Sequence, residues 1–433
     1  MSPINIVAVR RDLHRYPEPA FTEVRTACIV LEHLRRLSCS VRTGRDAMRV
    51  EGVADYPSEG VRAAAVAEAV ALGARRTDAE HFATHGTAIV AQFDGNRPGP
   101  AWGLRFDMDA LPLTESTHPA HAPETHGFRS ARAGFMHACG HDGHVAIGLA
   151  FAERLAAGDF PGSARLFFQP AEEGSRGAKA MLAASVADGV DTMVTLHLGL
   201  DVPLGTVVPG VVGSFATTKL RATFQGAASH ASIAPQRGRN AMVAAASAVL
   251  NIMAIPRWAG SDTRVNVGTF HAGDTVNIVP ALAEITAEAR STDTGVCAEI
   301  TKRITTIATG AGAMHGVNVS VTQTGQAPAL RSDRRLINNV STAVVATLGN
   351  DALLQPTLMG GSDDASLFIE TVRAQGGAGV YFIVGADNPS PHHSPAFDID
   401  ERSLQIALDV LSRLVTVPAP TTPRGWRAGC ATS

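Results

Sequence analysis

The sequence lacks a strong excess of charge of either sign. Its 37 lysine and arginine residues and 40 aspartate and glutamate residues give a formal net charge of only −3 over 433 residues. Nucleic acids and anionic membrane surfaces usually bind to clustered basic residues. We therefore expect neither a nucleic acid nor a membrane among the partners of this protein.

Paired cysteines and long apolar segments are also absent. The cysteines are scattered without a C-x-x-C pair, at Cys28, Cys39, Cys139, Cys297 and Cys430. An odd number at such spacings is unlike the disulfide framework of a secreted protein. No run approaches the roughly 18 apolar residues of a membrane-spanning helix, and Arg10, Arg11 and Asp12 interrupt the N-terminal segment before a signal-peptide apolar region could form. These absences predict a cytoplasmic protein.

The apolar pattern predicts an α/β fold. Short apolar runs bounded by turn residues, such as "TAIVAQFDG" and "SARLFFQPAEEG", alternate with helical stretches such as "HVAIGLAFAERLAAG" and "GAKAMLAASVADG". Alternating strands and helices favour a mostly parallel sheet, in which ligands lie beyond the carboxyl ends of the strands. The length of the chain favours two domains rather than one.

The middle of the chain has a different order of elements. From Thr217 to about Thr324 the pattern is strand, helix, strand, strand, helix, strand, which is the ferredoxin-like order. We therefore predict a main domain formed by residues 1–216 and 325–433, with a ferredoxin-like domain of residues 217–324 inserted between its two parts.

The stretch "FMHACGHDGH", from Phe135 to His144, could be a metal site, a thiol nucleophile or a polar loop. In an extended backbone, positions i and i+2 point the same way, so Cys139 and His141 could face one site. Taken alone, a buried cysteine and histidine are often ordinary core residues. Only residues elsewhere in the chain that could act together with Cys139 and His141 can distinguish these interpretations.

Candidate partners follow other predicted strands. The "QPAEEG" segment supplies Glu172 and Glu173, of which one could bind a metal while the other transfers protons. His197 follows another strand, and either His392 or His393 could join from "SPHHSPAFD". Because an open α/β sheet places its ligands at strand ends, these residues together favour a metal centre.

Two aspartates in "LRFDMDALP", Asp107 and Asp109, also follow a predicted strand. They could be metal ligands, partners that orient histidine ligands, or caps of a turn. We favour the orienting role.

Several stretches occur in an order that resembles a known family. They are "RRDLHRYPEPAFTE", "LRFDMDALPLTE", "MHACGHDGH", "FFQPAEEG", "TLHLG", "GAASHAS", "VNIVP", "GGSDDAS" and "HHSPAFDIDE". Over nearly its whole length the chain resembles the dinuclear metal-dependent amidohydrolases that include hippurate hydrolases and plant auxin-amide hydrolases, and especially the aminobenzoyl-glutamate hydrolase group. The resemblance implies hydrolysis of an N-acyl or N-aroyl amino acid, with an acidic amino acid on the amine side.

The resemblance also implies which residues form the site. Glu172 matches the general base, which takes a proton from an activated water and returns it to the leaving amine. Cys139, as a thiolate, is implied to bridge two divalent ions, which would be zinc or manganese, with cobalt as an alternative. The implied metal ligands are Cys139, His141, Glu173, His197 and His393. The implied substrate-binding residues are His230, Asn277 and Arg290, of which Arg290 binds a carboxylate.

One motif departs from the family pattern. Where the family often has Gly-Ser-Glu-Asp, this chain has Gly361, Ser362, Asp363 and Asp364, so we leave the shorter Asp363 out of the predicted site. We interpret the histidines of residues 118–132 as mobile surface residues. The resemblance further implies a homodimer formed through the inserted domain, which would also act as a lid, or else a heteromer with a second, different chain.

Three alternatives compete with this hypothesis. Indole-acetyl-aspartate or another auxin amide could be the substrate. The chain could instead be a non-catalytic component that binds acyl amino acids within a hetero-oligomer, although all five implied ligands and Glu172 are present. Hydrolysis through the Cys139 thiol is the third alternative, and it leaves Glu172, Glu173 and His197 without a role.

Overall fold

The structure is a computed structural model that describes residues 3–416; Cys430 and the rest of the last predicted segment lie outside this range. The α-helices are α1 (Ile6–Arg15), α2 (Val24–Leu34), α3 (Glu59–Ala71), α4 (Arg76–His85), α5 (Ala122–Thr125), α6 (His141–Ala156), α7 (Gly177–Leu182), α8 (Ala241–Met253), α9 (Thr294–Met314), α10 (Arg334–Leu348), α11 (Ala365–Ala374) and α12 (Arg402–Thr416). The strands are β1 (Ser40–Thr43), β2 (Ile89–Asp94), β3 (Arg97–Asp107), β4 (Pro161–Gln169), β5 (Thr192–Leu198), β6 (Val207–Val208), β7 (Val211–Gly213), β8 (Ala216–Gln225), β9 (Thr263–Ala272), β10 (Leu282–Ser291), β11 (Asn318–Ala327), β12 (Thr357–Leu358) and β13 (Ala378–Val384).

The main sheet is mostly parallel, as the alternating pattern predicts. Its strand order is β1-β2-β4-β3-β5-β13-β6. The four central strands β4, β3, β5 and β13 run parallel to one another, whereas β1, β2 and β6 pair antiparallel at the two sides. The carboxyl ends of the four parallel strands therefore meet along one edge of the sheet.

Both faces of the main sheet are buried under helices. Along β4, Leu166 and Phe168 belong to one apolar cluster and Phe167 to the other, because successive side chains of a strand point to opposite faces. Burying a side chain of this size stabilises the fold by roughly 1.5–3 kcal/mol. This two-sided burial explains why the strands appear in the sequence as continuous apolar runs.

The inserted unit is a second, antiparallel sheet. Its strand order is β11-β8-β10-β9, and α8 and α9 pack on one face around Phe224, Ile285 and Ile300. The ferredoxin-like order that the sequence predicts is confirmed. Strand β9 lies at one side of this sheet and pairs only with β10 among the described strands.

The two sheets meet beside the loop that follows β4. The backbone N–H of Gln326 donates to the Ser175 oxygen at 3.0 Å, and the Arg221 guanidinium pairs with both Asp55 oxygens at 2.6 and 2.9 Å. A Cβ atom on Gly325 would lie 2.1 Å from the Gly174 oxygen. Only glycine therefore allows β11 to approach this loop so closely.

Some details of the sequence-based interpretation are wrong. The backbone from Cys139 to His141 is not extended, because Gly140 has φ 87° and ψ 11° and α6 begins at His141. The helix predicted for "GAKAMLAASVADG" ends at Leu182, and Ser185, with φ 54°, could not continue it.

The histidine-rich segment is also only partly at the surface. His118 and His126 are exposed, as expected, but His121 is buried. Its Nε2 atom lies 2.8 Å from Glu115 Oε1, so a buried carboxylate fixes this ring.

Two further findings concern the helices and the cysteines. Within residues 3–416, no helix combines the length and the apolar character needed to cross a membrane. Four cysteines of this part of the chain, Cys28, Cys39, Cys139 and Cys297, are free thiols.

Candidate metal centre and active-site cleft

A cleft of about 900 Å³ opens where the carboxyl ends of the parallel strands face the inserted sheet. The main domain lines it with Cys139, Glu172, Glu173, His197, Asp363 and His393, among others. The inserted sheet contributes Thr217, Lys219 and Arg290. Six of the predicted site residues therefore line one cleft, although they come from segments far apart in the chain. They are Cys139, Glu172, Glu173, His197, Arg290 and His393.

Cys139 and His141 reach the cleft through the start of α6. The left-handed Gly140 forms the N-cap and turns the chain sharply between them. His141 donates from Nδ1 to the Asp109 backbone oxygen at 2.9 Å, and its buried Nε2 atom has no hydrogen-bond partner. When a carbonyl fixes one nitrogen of an imidazole and the other nitrogen is unpaired, the unpaired nitrogen is suited to bind a metal.

The two adjacent glutamates are held by a buried carboxylate. The backbone N–H groups of Glu172 and Glu173 donate to the two oxygens of Asp109 at 2.9 and 3.1 Å. The N–H of Ala171 donates to Glu23 Oε1 at 3.0 Å. These bonds fix a tight turn in which Ala171 has φ 55°, and one ligand atom each of Glu172, Glu173 and His141 lie within 4.8 Å of one another.

The side chains of Glu172 and Glu173 have different neighbours. Glu173 Oε2 lies 3.4 Å from His393 Nε2, and its buried Oε1 atom is unpaired. Glu172 Oε2 lies 4.0 Å from His141 Nε2. Glu173 is thus the carboxylate nearer to the C-terminal histidine.

The structure separates the two C-terminal histidines. His392 Nε2 lies 3.2 Å from the backbone oxygen of Leu198, whereas His393 points to Glu173. His393 adopts φ 62°, and its backbone N–H donates to the Ala138 oxygen at 2.8 Å. This strained turn brings His393, rather than His392, into the ligand group.

Two groups of ligand atoms share the cysteine. The atoms of Cys139, His141 and His197 lie within 4.8 Å of one another, and so do those of Cys139, Glu173 and His393. His197 Nε2 is 3.5 Å from Cys139 Sγ. A thiol, three imidazoles and a carboxylate are donors that suit a divalent transition metal. The unpaired buried atoms of His141 and Glu173 belong to residues of these two groups.

The ligands differ in how they hold protons. Burial lowers the pKa of His141, but Asp107 outweighs this effect and raises the pKa well above its usual range, so this ring has to lose a proton when a metal binds. Burial lowers the pKa of His197 well below its usual range, and the nearby His144 lowers it further, so the ring is neutral, as metal binding requires. Burial, and then Glu173, raises the pKa of the Cys139 thiol. A thiolate at this position therefore needs a cation beside it.

His144 is excluded from the ligand group by its own bonds. Its Nδ1 atom lies 2.5 Å from Asp107 Oδ1, and its Nε2 atom accepts the Leu198 N–H at 3.1 Å. Both ring nitrogens are therefore occupied. The geometry agrees with the expected orienting role for Asp109, which holds His141 and the glutamate turn. Asp107 instead contacts His144, which is outside the ligand group.

A buried charge network behind Glu172 was missed by the sequence-based prediction. Arg105 pairs with Asp107, and with Asp363 and Asp364 at 3.1 Å each. Asp363, left out of the predicted site, is buried in the cleft wall and belongs with Asp364 to the carboxylate group around Glu172. An arginine within the apolar strand "GLRFD" was the available signal, because a buried charge requires partners.

Repulsion among these carboxylates affects their protonation. Burial raises the pKa of Glu172 well above its usual range, and Asp363 raises it further. Burial also raises the pKa of Asp364 to about 7, against the opposing effect of Arg105. Glu172 therefore holds a proton more strongly than an exposed glutamate does.

The three predicted substrate-binding residues are divided between two places. Arg290 lines the cleft, with Nε 2.9 Å from Glu288 Oε2 and Nη1 3.5 Å from Ser362 Oγ. His230 and Asn277 are exposed and adjacent, since the Ala231 N–H donates to the Asn277 oxygen at 3.0 Å. Neither of them is among the described residues that line the cleft of their own chain.

Oriented ligands beside a buried carboxylate, at the strand ends of an α/β sheet, define a metal-dependent hydrolase. The chain belongs to Peptidase family M20/M25/M40, which matches residues 103–417. The resemblance inferred from the motifs is confirmed, and the protein is a hydrolase that acts on amide bonds.

Similar proteins align with nearly the whole length of this chain. The chain is 39% identical over 415 residues to indole-3-acetyl-aspartic acid hydrolase of Enterobacter agglomerans. It is also 39% identical, over 407 residues, to one of the subunits of p-aminobenzoyl-glutamate hydrolase from Escherichia coli (strain K12), and each alignment covers 93% of both chains. The crystal structure of aminobenzoyl-glutamate utilization protein from Klebsiella pneumoniae is 33% identical with a TM-score of 0.81, over 95% of each chain.

Proposed function

We propose that this protein hydrolyses N-acyl or N-aroyl amino acids that carry an acidic amino acid on the amine side. The observation that carries the proposal is the buried Glu172 beside the gathered ligands, opposite Arg290 in the same cleft. The names of two similar proteins contain glutamate and aspartic acid. An acyl-glutamate is therefore the first substrate to test, with indole-acetyl-aspartate as the alternative.

Two divalent ions would be held by Cys139, His141, Glu173, His197 and His393. The two ligand groups that share Cys139 support a bridging thiolate. Zinc or manganese suits this mixture of donors, with cobalt as an alternative. When bound, such ions polarise the amide carbonyl and lower the pKa of the attacking water.

Glu172 would be the general base and then the general acid. It accepts a proton from the attacking water as the new carbon–oxygen bond forms. It returns this proton to the amine nitrogen as the carbon–nitrogen bond breaks, which releases a carboxylic acid and a free amino acid. Its raised pKa suits both steps, and Asp109, through the backbone of the glutamate turn, keeps it in position.

Arg290 would bind the α-carboxylate of the substrate. Glu288 occupies its Nε atom and the Ser362 hydroxyl accepts from Nη1 at 3.5 Å, which leaves further N–H donors on the two outer guanidinium nitrogens. The planar guanidinium can donate two parallel hydrogen bonds to a carboxylate. This contact would orient the amide bond towards Glu172.

We propose that the chain forms a homodimer through the inserted domain. This domain exposes large apolar side chains, including Val276 at 100%, Ile233 at 79% and Leu250 at 73%. Such exposed side chains, beside the free side of β9, are typical of a protein interface. His230 and Asn277 lie in the loops next to Ile233 and Val276, so a partner could place them in the other chain's cleft.

The organisation of the chain is part of the proposal. We assign residues 1–216 and 325–433 to the catalytic domain and residues 217–324 to the inserted lid, with strands β8 and β11 linking the two. A heteromer is the alternative to the homodimer, because the name of one similar protein describes it as part of a hydrolase with subunits. The free cysteines support a cytoplasmic location.

The test is metal analysis combined with a hydrolysis screen. We expect purified protein to bind two ions per chain and to cleave acyl-glutamates or acyl-aspartates in preference to neutral acyl amino acids. Protein that retains two ions but leaves the whole panel intact would contradict the proposal. Preference for indole-acetyl-aspartate would select the alternative substrate.

Mixing two inactive variants tests the dimer. If His230 acts in the partner's cleft, Glu172→Gln and His230→Ala should each be inactive, while mixed dimers regain part of the activity. A chain that stays monomeric in light scattering, or a mixture that stays inactive although mixed dimers form, would contradict the shared site.

A further inference from the structure

Lys219 lines the cleft but has no role in the proposed reaction. The 37 lysines and arginines of the chain include only three lysines, Lys179, Lys219 and Lys302. Lys179 and Lys302 are exposed, and neither is among the described residues that line the cleft. Lys219 is half-buried on β8, on the same wall of the cleft as Arg290.

The register of the inserted sheet places these two cations close together. Lys219 pairs with Glu288, and Thr217 pairs with Arg290, across strands β8 and β10. Residues two apart on a strand share a face, so Lys219 and Arg290 are diagonal neighbours, separated by about 7–8 Å at the backbone. Flexible side chains from these positions can bind two carboxylates of one small molecule.

The charges of the two cations are satisfied differently. Arg290 already pairs with Glu288. Lys219 Nζ instead donates to the backbone oxygen of Glu173 at 3.0 Å. It attracts Glu288 across the strands, but within residues 3–416 no carboxylate lies within ion-pair distance of the ammonium. It retains two further N–H donors, next to the turn that carries Glu172 and Glu173. A half-buried ammonium in this state is suited to an anionic ligand.

We infer that Lys219 forms the subsite for the side-chain carboxylate of the substrate's amino acid. This inference rests on the proposed function and deepens it, because it assigns the recognition of the second carboxylate to one residue. Arg290 binds the α-carboxylate, which every acyl amino acid has. Lys219 binds the carboxylate that only an acidic amino acid adds.

A purely structural role for Lys219 makes a different prediction. Its bond to the Glu173 oxygen joins the inserted sheet to the glutamate turn, as Arg221 joins the same sheet to Asp55. If Lys219 only held the two domains together, its loss would weaken the hydrolysis of every substrate equally.

The experiment compares two substrates that differ in one charge. 4-Aminobenzoyl-glutamate and 4-aminobenzoyl-glutamine share the acyl group and nearly the same shape, but only the first has a side-chain carboxylate. The metal-loaded full chain is assayed as wild type, Lys219→Met and Lys219→Arg. Lys302→Met, which removes an exposed lysine of the same domain, is the matched control.

We expect Lys219→Met to lower kcat/KM for the glutamate substrate by about 10–100-fold, the usual effect of losing a hydrogen bond between charged groups. The loss should lie mainly in KM. The glutamine substrate should change by less than about threefold, because neutral hydrogen bonds contribute less. Lys219→Arg should retain most of the preference for glutamate, and Lys302→Met should behave as wild type.

A further Lys219 variant distinguishes the loss of the charge from a loss of correct folding. Lys219→Gln retains a hydrogen-bond donor but removes the charge, so it should lose the preference for glutamate while its metal content and thermal stability match wild type. Equal losses for both substrates, or no loss for either, would overturn the subsite, and so would a wild-type enzyme without preference for glutamate. Wild-type protein that cleaves neither these substrates nor other acyl amino acids would refute the proposed function itself, and the subsite with it.

Discussion

The two walls of the cleft are built in opposite ways. The main-domain wall is buried and rich in carboxylates, with Glu172 and Asp363 exposed by 8% and 4%. The wall from the inserted sheet presents two half-buried cations, Lys219 and Arg290. One wall is suited to hold cations and transfer protons, and the other to attract an anionic substrate.

This difference separates chemistry from recognition. The main-domain residues are fixed by buried bonds to strand ends, as Asp109 fixes the glutamate turn, and a change at one of them disturbs its neighbours. The two cations of the inserted sheet lie on neighbouring antiparallel strands, Lys219 on β8 and Arg290 on β10, and share one face of the sheet. Substitutions on that face can alter substrate preference without touching a metal ligand.

The largest expected effect comes from removing the metal ions. Chelation should lower activity by about 10³-fold or more, since the ions contribute several kcal/mol of transition-state stabilisation. Zinc or manganese added back should restore activity, which an assay of the dialysed protein measures. Activity that survives chelation but is lost on thiol alkylation would support catalysis by Cys139 instead.

Replacing the general base should have the next largest effect. Glu172→Gln should lower kcat by about 10²–10⁴-fold, the usual contribution of a positioned acid or base. Metal content and KM should stay near wild type, as measured by elemental analysis and steady-state kinetics. Glu299→Gln, at an exposed position of α9, is the control. Unchanged turnover in Glu172→Gln would favour a non-catalytic binding role.

On the opposite wall, Arg290→Met should mainly weaken substrate binding. We expect KM to rise by about 10–100-fold for acidic and neutral acyl amino acids alike, because both carry the α-carboxylate. Arg264→Met is the matched control, since Arg264 pairs with Arg290 in the strand register but is exposed and bound to Asp262. A loss of bound metal in Arg290→Met would contradict the separation of the two walls.

The smallest effect is expected at the contact between the two domains. Arg221→Met removes a partly exposed ion pair with Asp55, and such pairs contribute only about 0–1 kcal/mol. Activity should change by less than about threefold, with little change in the thermal unfolding temperature. A large loss of activity would instead show that this pair controls the position of the inserted domain.

The gathering of the candidate ligands could be predicted because it depends on a general rule. Parallel strands bring their carboxyl ends to one edge, so the glutamates after "FFQ" and His197 near the end of the run "MVTLHL" had to lie near each other. The choice between His392 and His393 could not be made in this way. It depends on a left-handed backbone at His393 and its bond to Ala138, which no local pattern reveals.

Contacts between distant segments were also beyond prediction from the sequence. Arg105 and Asp363 are 258 residues apart in the chain, and nothing around either residue identifies its partner. The sequence analysis assigned no role to Lys219, because the role that we infer for it depends on the sheet register and on the approach of the glutamate turn. The resemblance to a family supplied residue roles, but not these neighbours.

The position of β13 has a consequence for how the chain is synthesised. This strand lies between β5 and β6 in the main sheet and pairs with both, although it lies beyond the whole inserted unit in sequence. The inserted sheet, with all its strands between residues 216 and 327, can fold as soon as it leaves the ribosome, whereas the main sheet stays divided until residue 384 has emerged. Completion of the candidate metal centre, which also needs His393, therefore comes after the inserted sheet has been synthesised.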